Sequence, residues 1–274
     1  MAEVVKVVIL GIIEGVTEFL PVSSTGHLLV VASLLDFHTR LQSTFEIFIQ
    51  FGAVLAVIFY YRSDLLSQVR QVRTDASIRR LWLNIIVAFI PAGVVGFLFK
   101  DWVKTNLVDT SSNALIIAIA LIIGGVIFLL VERRPDQSVR TDTLNKITLK
   151  QATLLGIAQV TALIPGVSRS GASIIGGMVG GLSRETATRF SFYLAIPTLG
   201  IATLYDLLTN LDQMSSTDVA YLLLGTVVSA IVAWISIGWL LRFVARSSFV
   251  PFGYYRIAAG FVIVLLIAAH LLPT

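Results

Sequence analysis

Apolar runs too long for a soluble core set the terms for this chain. Residues 45–61, 84–99, 114–131, 187–205, 219–241 and 257–272 are each long enough, with some tilt, to cross roughly 30 Å of hydrocarbon. Two more runs, 4–35 and 152–182, are apolar but interrupted, at Pro21-Val22-Ser23-Ser24-Thr25-Gly26 and at Pro165-Gly166-Val167-Ser168-Arg169-Ser170-Gly171. Each half-run falls short of a span. Short helices around a polar break read as a re-entrant hairpin, a form tolerated at membrane depth only where protein buries the backbone or water reaches it. With 56% hydrophobic and 13% charged residues, there is too little polar surface to cover a soluble fold, and disorder is excluded by the same numbers. The expectation is an all-α polytopic membrane protein, one domain over 1–274, with six transmembrane helices and two re-entrant helical hairpins.

Lysine and arginine orient the spans. The 62–80 connection holds Arg62, Arg70, Arg73, Arg79 and Arg80, and the 133–150 connection holds Arg133, Arg134, Arg140, Lys146 and Lys150. Arg184 and Arg189 flank the second hairpin, and Arg242, Arg246 and Arg256 lie between the last two spans. The alternate connections are poor, with Arg40 in one, Lys100 and Lys104 in the next and none in 206–218. Every rich connection then falls on one side, the cytoplasm, with both termini outside. Topology accounts for the pI near 9.5, so nucleic acid is not an expected partner, and Arg256 reads as a cytoplasmic anchor. Glu3, Glu14 and Glu18 make the N-terminus read as mature protein rather than a signal peptide. No cysteine is present, which removes disulfide, thiolate and iron–sulfur chemistry.

Shifting the chain by 145 residues lays one interrupted run on the other. Gly11-Ile12-Ile13-Glu14 meets Gly156-Ile157-Ala158-Gln159, and Val22-Ser23-Ser24-Thr25-Gly26 meets Val167-Ser168-Arg169-Ser170-Gly171. Phe45 meets Phe190 and Tyr60 meets Tyr205. Each half, 1–140 and 146–274, would hold one hairpin and three spans. Three is odd, so the second half enters the membrane upside down. The result is an inverted-topology repeat whose hairpins meet near the midplane.

Ionisable groups at membrane depth are costly and mark function. Glu14 and Glu18 are four apart, so a helix puts both on one face, where a cation, a proton or a facing arginine must relieve their repulsion. Hard divalent ions such as Mg²⁺ or Ca²⁺ suit those oxygens. Ser23, Ser24 and Thr25 are helix-start residues that place hydroxyls two to four positions from His27, a spacing compatible with nucleophile and base or with simple capping. In the second break, Gly166 permits close backbone approach, and a helix beginning near Ser170 offers free N–H groups to an anion. Ser168, Ser170 and Ser173 add hydroxyls, and Arg169 adds a fork matched to phosphate oxygens, free or paired with Glu14 or Glu18. Glu46 and Gln50, also four apart, could support the site. Gly124-Gly125 and Gly176-Gly177 read as close helix packing.

Glu14-Gly15-Val16-Thr17-Glu18-Phe19-Leu20-Pro21-Val22-Ser23-Ser24-Thr25-Gly26-His27 resembles the first signature of the bacterial undecaprenyl-diphosphate phosphatase, or bacitracin-resistance, family. Pro165-Gly166-Val167-Ser168-Arg169-Ser170-Gly171 resembles the second. The resemblance extends to Phe45-Glu46 with Gln50 and to Phe249-Val250-Pro251-Phe252 before Tyr255-Arg256, and so covers essentially the whole chain. Ser173 departs from the usual threonine but keeps the hydroxyl. The resemblance implies a membrane phosphatase that converts undecaprenyl diphosphate to the monophosphate and inorganic phosphate with a divalent cation. It further implies a site open to the outer face of the bacterial cytoplasmic membrane, and bacitracin resistance. The polyprenyl diphosphate and membrane lipids are its implied partners, and a homodimer is left open. Arg169 and the hairpin N–H groups suit a diphosphate, and Glu14 and Glu18 suit the metal. The attacking group could be Ser24 with His27 as base, His27 itself, or a water held by Glu18. The rival is a secondary transporter or lipid flippase, since inverted repeats with broken helices are transporter architecture.

Overall fold

In hydrocarbon every backbone N–H and C=O must be satisfied within the chain, so the apolar runs have helix as their one open-ended solution. The computed structural model describes residues 3–37, 42–108, 113–133, 141–210 and 215–272. Arg40, Arg134 and Arg140, counted above among the charged connections, lie outside them. Among the described residues every regular element is helical, apart from one isolated bridge between Thr141 and Leu182. The order is α1 (Glu3–Thr17), α2 (Ser24–Leu34), α3 (Gln42–Tyr60), α4 (Arg62–Gln71), α5 (Ala76–Val103), α6 (Asn113–Glu132), α7 (Leu149–Val160), α8 (Arg169–Val179), α9 (Arg184–Asn210), α10 (Ser216–Val244) and α11 (Val250–Ala268).

Among the described residues, five stretches are long and apolar enough to span: Ala76–Val108, Asn113–Glu132, Arg184–Thr209, Asp218–Val244 and Val250–Ala268. A sixth is reached if α3 and α4 count as one span bent by 67°. This multi-pass helical bundle is the expected fold. The helices on either side of the two breaks are short. At 1.5 Å per residue, the 11 residues of α2 or α8 reach only about 16 Å, half the hydrocarbon thickness. Each pair folds back on itself, α1 against α2 and α7 against α8.

The 145-residue register seen in the sequence recurs in the backbone. α2 and α8 begin and end at equivalent residues. Each is preceded by a serine with positive φ, Ser23 at 70° and Ser168 at 73°. The neighbours also correspond: α1 packs on α10 and α7 on α5, while α3 meets α9 and α6 meets α11. Gly11 and Gly156, one register apart, make two of these contacts close. A methyl at Gly11 would stand 2.9 Å from the Gly225 carbonyl oxygen, and one at Gly156 would stand 2.4 Å from that of Ala88. Small residues let backbones approach where lipid supplies no hydrophobic drive between helices.

The largest buried cluster lies directly beneath the two breaks. It joins Phe19 and Val22 from the first to Ile174 of α8 and to Phe190, Phe192 and Tyr193 of α9. Phe19 and Phe192 meet edge to face at 5.0 Å between ring centres. One carboxylate fixes three helix ends at the bundle's rim: Glu132 closes α6, pairs with Arg184 at the start of α9, and accepts from the Phe249 N–H just before α11.

Candidate active site

Glu14 and Glu18 stand one turn apart, as their spacing requires. Glu14 is fully buried on α1, and no hydrogen-bond donor among the described residues faces either of its oxygens. Glu18 sits in the first break with both oxygens engaged. Oε2 accepts from the Ser24 hydroxyl at 2.7 Å, and Oε1 accepts from Arg169 Nε and Nη2 at 3.3 Å each. The third guanidinium nitrogen of Arg169, Nη1, donates to the Ser191 carbonyl at 3.0 Å. The ion pair is nearly enclosed, with side-chain exposures of 9% for Arg169 and 6% for Glu18. Phe19 lies beneath it, its ring centre 5.9 Å from Arg169 Cζ.

The local folding of the second break explains how Arg169 arrives there. α7 ends in a single tight turn over Thr161–Leu163. Gly166 then takes φ 91°, which its missing side chain allows. Ser168 turns left-handed and caps α8, its Oγ accepting the Gly171 N–H at 3.1 Å. Arg169 is therefore the first residue of α8 and leaves the helix toward α1. Ser170 Oγ reaches across to the Leu20 carbonyl at 3.1 Å, stitching the two breaks together.

Between the breaks is a cavity of about 160 Å³. It is lined by Glu18, Ser23, Ser24, Thr25, Gly166, Ser168 and Arg169 from the two breaks, with Gln50 of α3, Leu199 of α9 and the apolar residues Ala162, Ile164 and Pro165. Most of the residues expected to share a site thus converge. Others stand behind the wall. Glu14 and Glu46 act on one another electrostatically, with Arg169 opposing them. Ser173 is fully buried and bonds the Arg169 carbonyl and Ser191 Oγ, at 2.8 Å and 2.7 Å, so it braces the start of α8 from behind.

His27 has a different neighbour from the one its spacing suggests. Its Nδ1 lies 2.7 Å from the Ser23 carbonyl, which can only accept, and this assigns the ring proton to Nδ1 in the neutral form. Nε2 lies 2.6 Å from the Tyr255 hydroxyl and accepts from it, with the two rings stacked at 5.6 Å. Both nitrogens are therefore engaged, and the Ser24 hydroxyl turns to Glu18.

Arg256 differs more sharply from its sequence reading. It is no cytoplasmic anchor: its exposure is 0%, and its guanidinium donates to the carbonyls of Pro21, Gly166, Ala120 and Leu121. Room for it comes from Gly124, where a methyl would stand 2.3 Å from Arg256 Nη2. The glycine pair Gly124-Gly125 does mark close packing, as expected. Its partner is an arginine on one side and the α11 backbone on the other, where a methyl at Gly125 would meet the Gly253 oxygen at 2.6 Å. Tyr255, Arg256 and Ser191 are the neighbours that sequence reasoning missed. A cation in the second turn of an apolar helix was the available signal.

Comparison with known proteins bears on the same residues. A family model described as bacitracin resistance protein BacA matches residues 7–262. A relative named undecaprenyl-diphosphatase from Neisseria meningitidis is 44% identical over 267 residues, covering 96% of this chain and 95% of its own. One of the same name from Ectopseudomonas mendocina is 45% identical, covering 97% and 95%. Undecaprenyl-diphosphatase 1 of Chromobacterium violaceum is 45% identical, covering 93% of each chain. With both signature segments inside the matched region and facing each other across one cavity, the chain belongs to the BacA family of bacitracin resistance proteins.

Proposed function

We propose that this protein is a membrane-embedded phosphatase that hydrolyses undecaprenyl diphosphate to undecaprenyl phosphate and inorganic phosphate. It thereby recycles the lipid carrier of cell-wall synthesis and removes the form that bacitracin binds. The observation that carries the chemistry is one carboxylate shared by a hydroxyl and a guanidinium, Ser24–Glu18–Arg169, on the wall of a cavity between two helix starts. The cavity has room for a phosphoryl group and none for the prenyl tail, which stays in the apolar surroundings of the bundle. A carrier of neutral solutes needs no such set, and the names of the relatives give the transporter reading no support.

The hydrogen bonds around the cavity support the following roles. Glu18 Oε2, which accepts from the Ser24 hydroxyl, takes its proton as Oγ attacks the terminal phosphorus. The bridging P–O bond breaks, and the prenyl monophosphate leaves. Water then attacks the same phosphorus, the Oγ–P bond breaks, the proton returns from Glu18 to Oγ, and inorganic phosphate departs. Arg169 faces the charge that develops on the phosphoryl oxygens, aided by the free N–H groups at the starts of α2 and α8. Thr25, Ser23 and Gln50 line the remaining wall.

A divalent cation, Mg²⁺ or Ca²⁺, fits this donor set. Glu14 presents two buried oxygens without donors beside Glu18, and such ions are commonly held by one or two carboxylates with substrate oxygens completing the shell. Glu14 and Glu18 would hold it, and it would neutralise phosphate charge. The arginine-rich connections support a cytoplasmic side at 62–80 and at 242–246, with the termini and the mouth of the site on the outer face of the bacterial cytoplasmic membrane.

Phosphate release from undecaprenyl diphosphate by the purified protein in detergent tests the reading, with and without Mg²⁺ or Ca²⁺ and beside Arg169→Ala. Metal-dependent release that disappears with EDTA and in the variant is the expected result. Full activity under EDTA would remove the metal, and no release from folded protein would remove the phosphatase.

A further inference from the structure

The Glu18–Arg169 ion pair joins the two hairpins inside the cavity, and catalysis must loosen it, because phosphate oxygens compete for the same guanidinium. A second join lies outside the set assigned to the reaction. Arg256 Nη1 donates to the Pro21 carbonyl at 3.1 Å, and its Nη2 donates to that of Gly166, also at 3.1 Å. Pro21 and Gly166 occupy the same place in the two halves, 145 residues apart, each two residues before the left-handed serine. One fork thus grips the equivalent carbonyls of both breaks. Nη2 and Nε also donate to the Ala120 and Leu121 carbonyls at 3.2 Å and 3.4 Å, which fixes the fork on α6.

All of its hydrogen-bond acceptors among the described residues are backbone carbonyls, and no carboxylate pairs with it there. An arginine buried in a membrane bundle without a counter-ion is expensive, so stability alone is a poor account of it. Its planar fork does what a lysine cannot, bridging two fixed oxygens at once.

We propose that Arg256 is a positioning residue for the phosphatase reaction. It holds the two breaks at fixed separation and register while Arg169 exchanges Glu18 for phosphate, so that Ser24 and Arg169 stay aimed at the same phosphorus. This rests on the phosphatase reading above. Because the hydrogen bonds of Arg256 among the described residues all go to backbone carbonyls and it does not line the cavity, its loss acts on the alignment of the reacting groups rather than on substrate capture.

The test measures kcat and KM for phosphate release by the wild type, Arg256→Met, Arg256→Lys and Gly124→Ala, with thermal melting as the check on folding. Misplacement of reacting groups by an ångström costs about 100-fold, so Arg256→Met should lose about that much in kcat with KM changed less than about threefold. Arg256→Lys keeps the charge but should recover only a small part of the rate. Gly124→Ala, whose methyl claims the space of Nη2 while leaving the charge in place, should fall with Arg256→Met. A folded Arg256→Met with wild-type kcat, or with its loss confined to KM, overturns the proposal. Wild-type rates in both Arg256→Lys and Gly124→Ala overturn it too, since the charge alone would then suffice. Should Arg256→Met fail to fold, the other two variants decide. An inactive wild type would sink the phosphatase reading instead.

Discussion

α1–α2 and α7–α8 turn at equivalent residues and run for equivalent lengths, yet their side chains diverge at nearly every polar position. Glu14 stands where the second hairpin has Gln159, Ser24 where it has Arg169, and His27 where it has Ala172. Both Glu14 and Gln159 are buried, with exposures of 0% and 1%, and each leaves carboxyl or amide oxygen without a donor among the described residues. One hairpin has become the acid and hydroxyl half of a site, the other its cationic half. Two backbone segments of matching register bring their helix starts together and carry complementary charge, so neither hairpin alone can balance its own.

That comparison breaks most visibly if the halves are made alike. Arg169→Ser, which gives the second hairpin the residue of the first, should cost roughly 10³-fold or more in kcat/KM by removing the charge that meets the phosphoryl oxygens. Ser24→Ala and Glu18→Gln should each cost on the order of 10³-fold, and the double variant little more than the worse single, because groups acting as a unit are not additive. Retention of activity within tenfold in Ser24→Ala would hand the attack to a water held by Glu18. Gln159→Glu, the converse exchange, buries a carboxylate where the amide oxygen has no donor among the described residues. It should lower stability by about 2 kcal/mol or more in a detergent melt while the purified enzyme keeps its kcat. Tyr255→Phe has the smallest expected effect, a loss of less than about tenfold in rate, since it frees only His27 Nε2. A larger loss would bring His27 into the chemistry.

Much of this was legible in the residues. Apolar length dictated helices, and the two polar breaks dictated where the short ones turn. The 145-residue register, which lays Ser24 on Arg169, pointed to the two breaks as partners, and Glu18, Ser24 and Arg169 do converge between them. What stayed hidden depends on tertiary complementarity. Ser24 turns to Glu18, while the two imidazole nitrogens of His27 go to the Ser23 carbonyl and to Tyr255, more than two hundred residues away. Arg256 was misread because a cation near a helix start ordinarily sits at the interface. The face that admits it, Gly124 on α6, belongs to a different element, and only the packed pair shows the fit. The run 45–61 gave no sign that its continuation, α4, bends away by 67°.

Ser23 and Ser168 hold a backbone conformation that glycine would hold at less cost, on the order of 1–3 kcal/mol each. Ser168 recovers part of it by capping α8. The Ser23 hydroxyl makes no such return among the described residues: it is buried on the cavity wall without a hydrogen-bond partner there. Heat tolerance alone would therefore favour glycine at Ser23 and erase the hydroxyl that the proposed function turns toward an incoming phosphoryl oxygen. On the proposed function, robustness and turnover are opposed at that one residue.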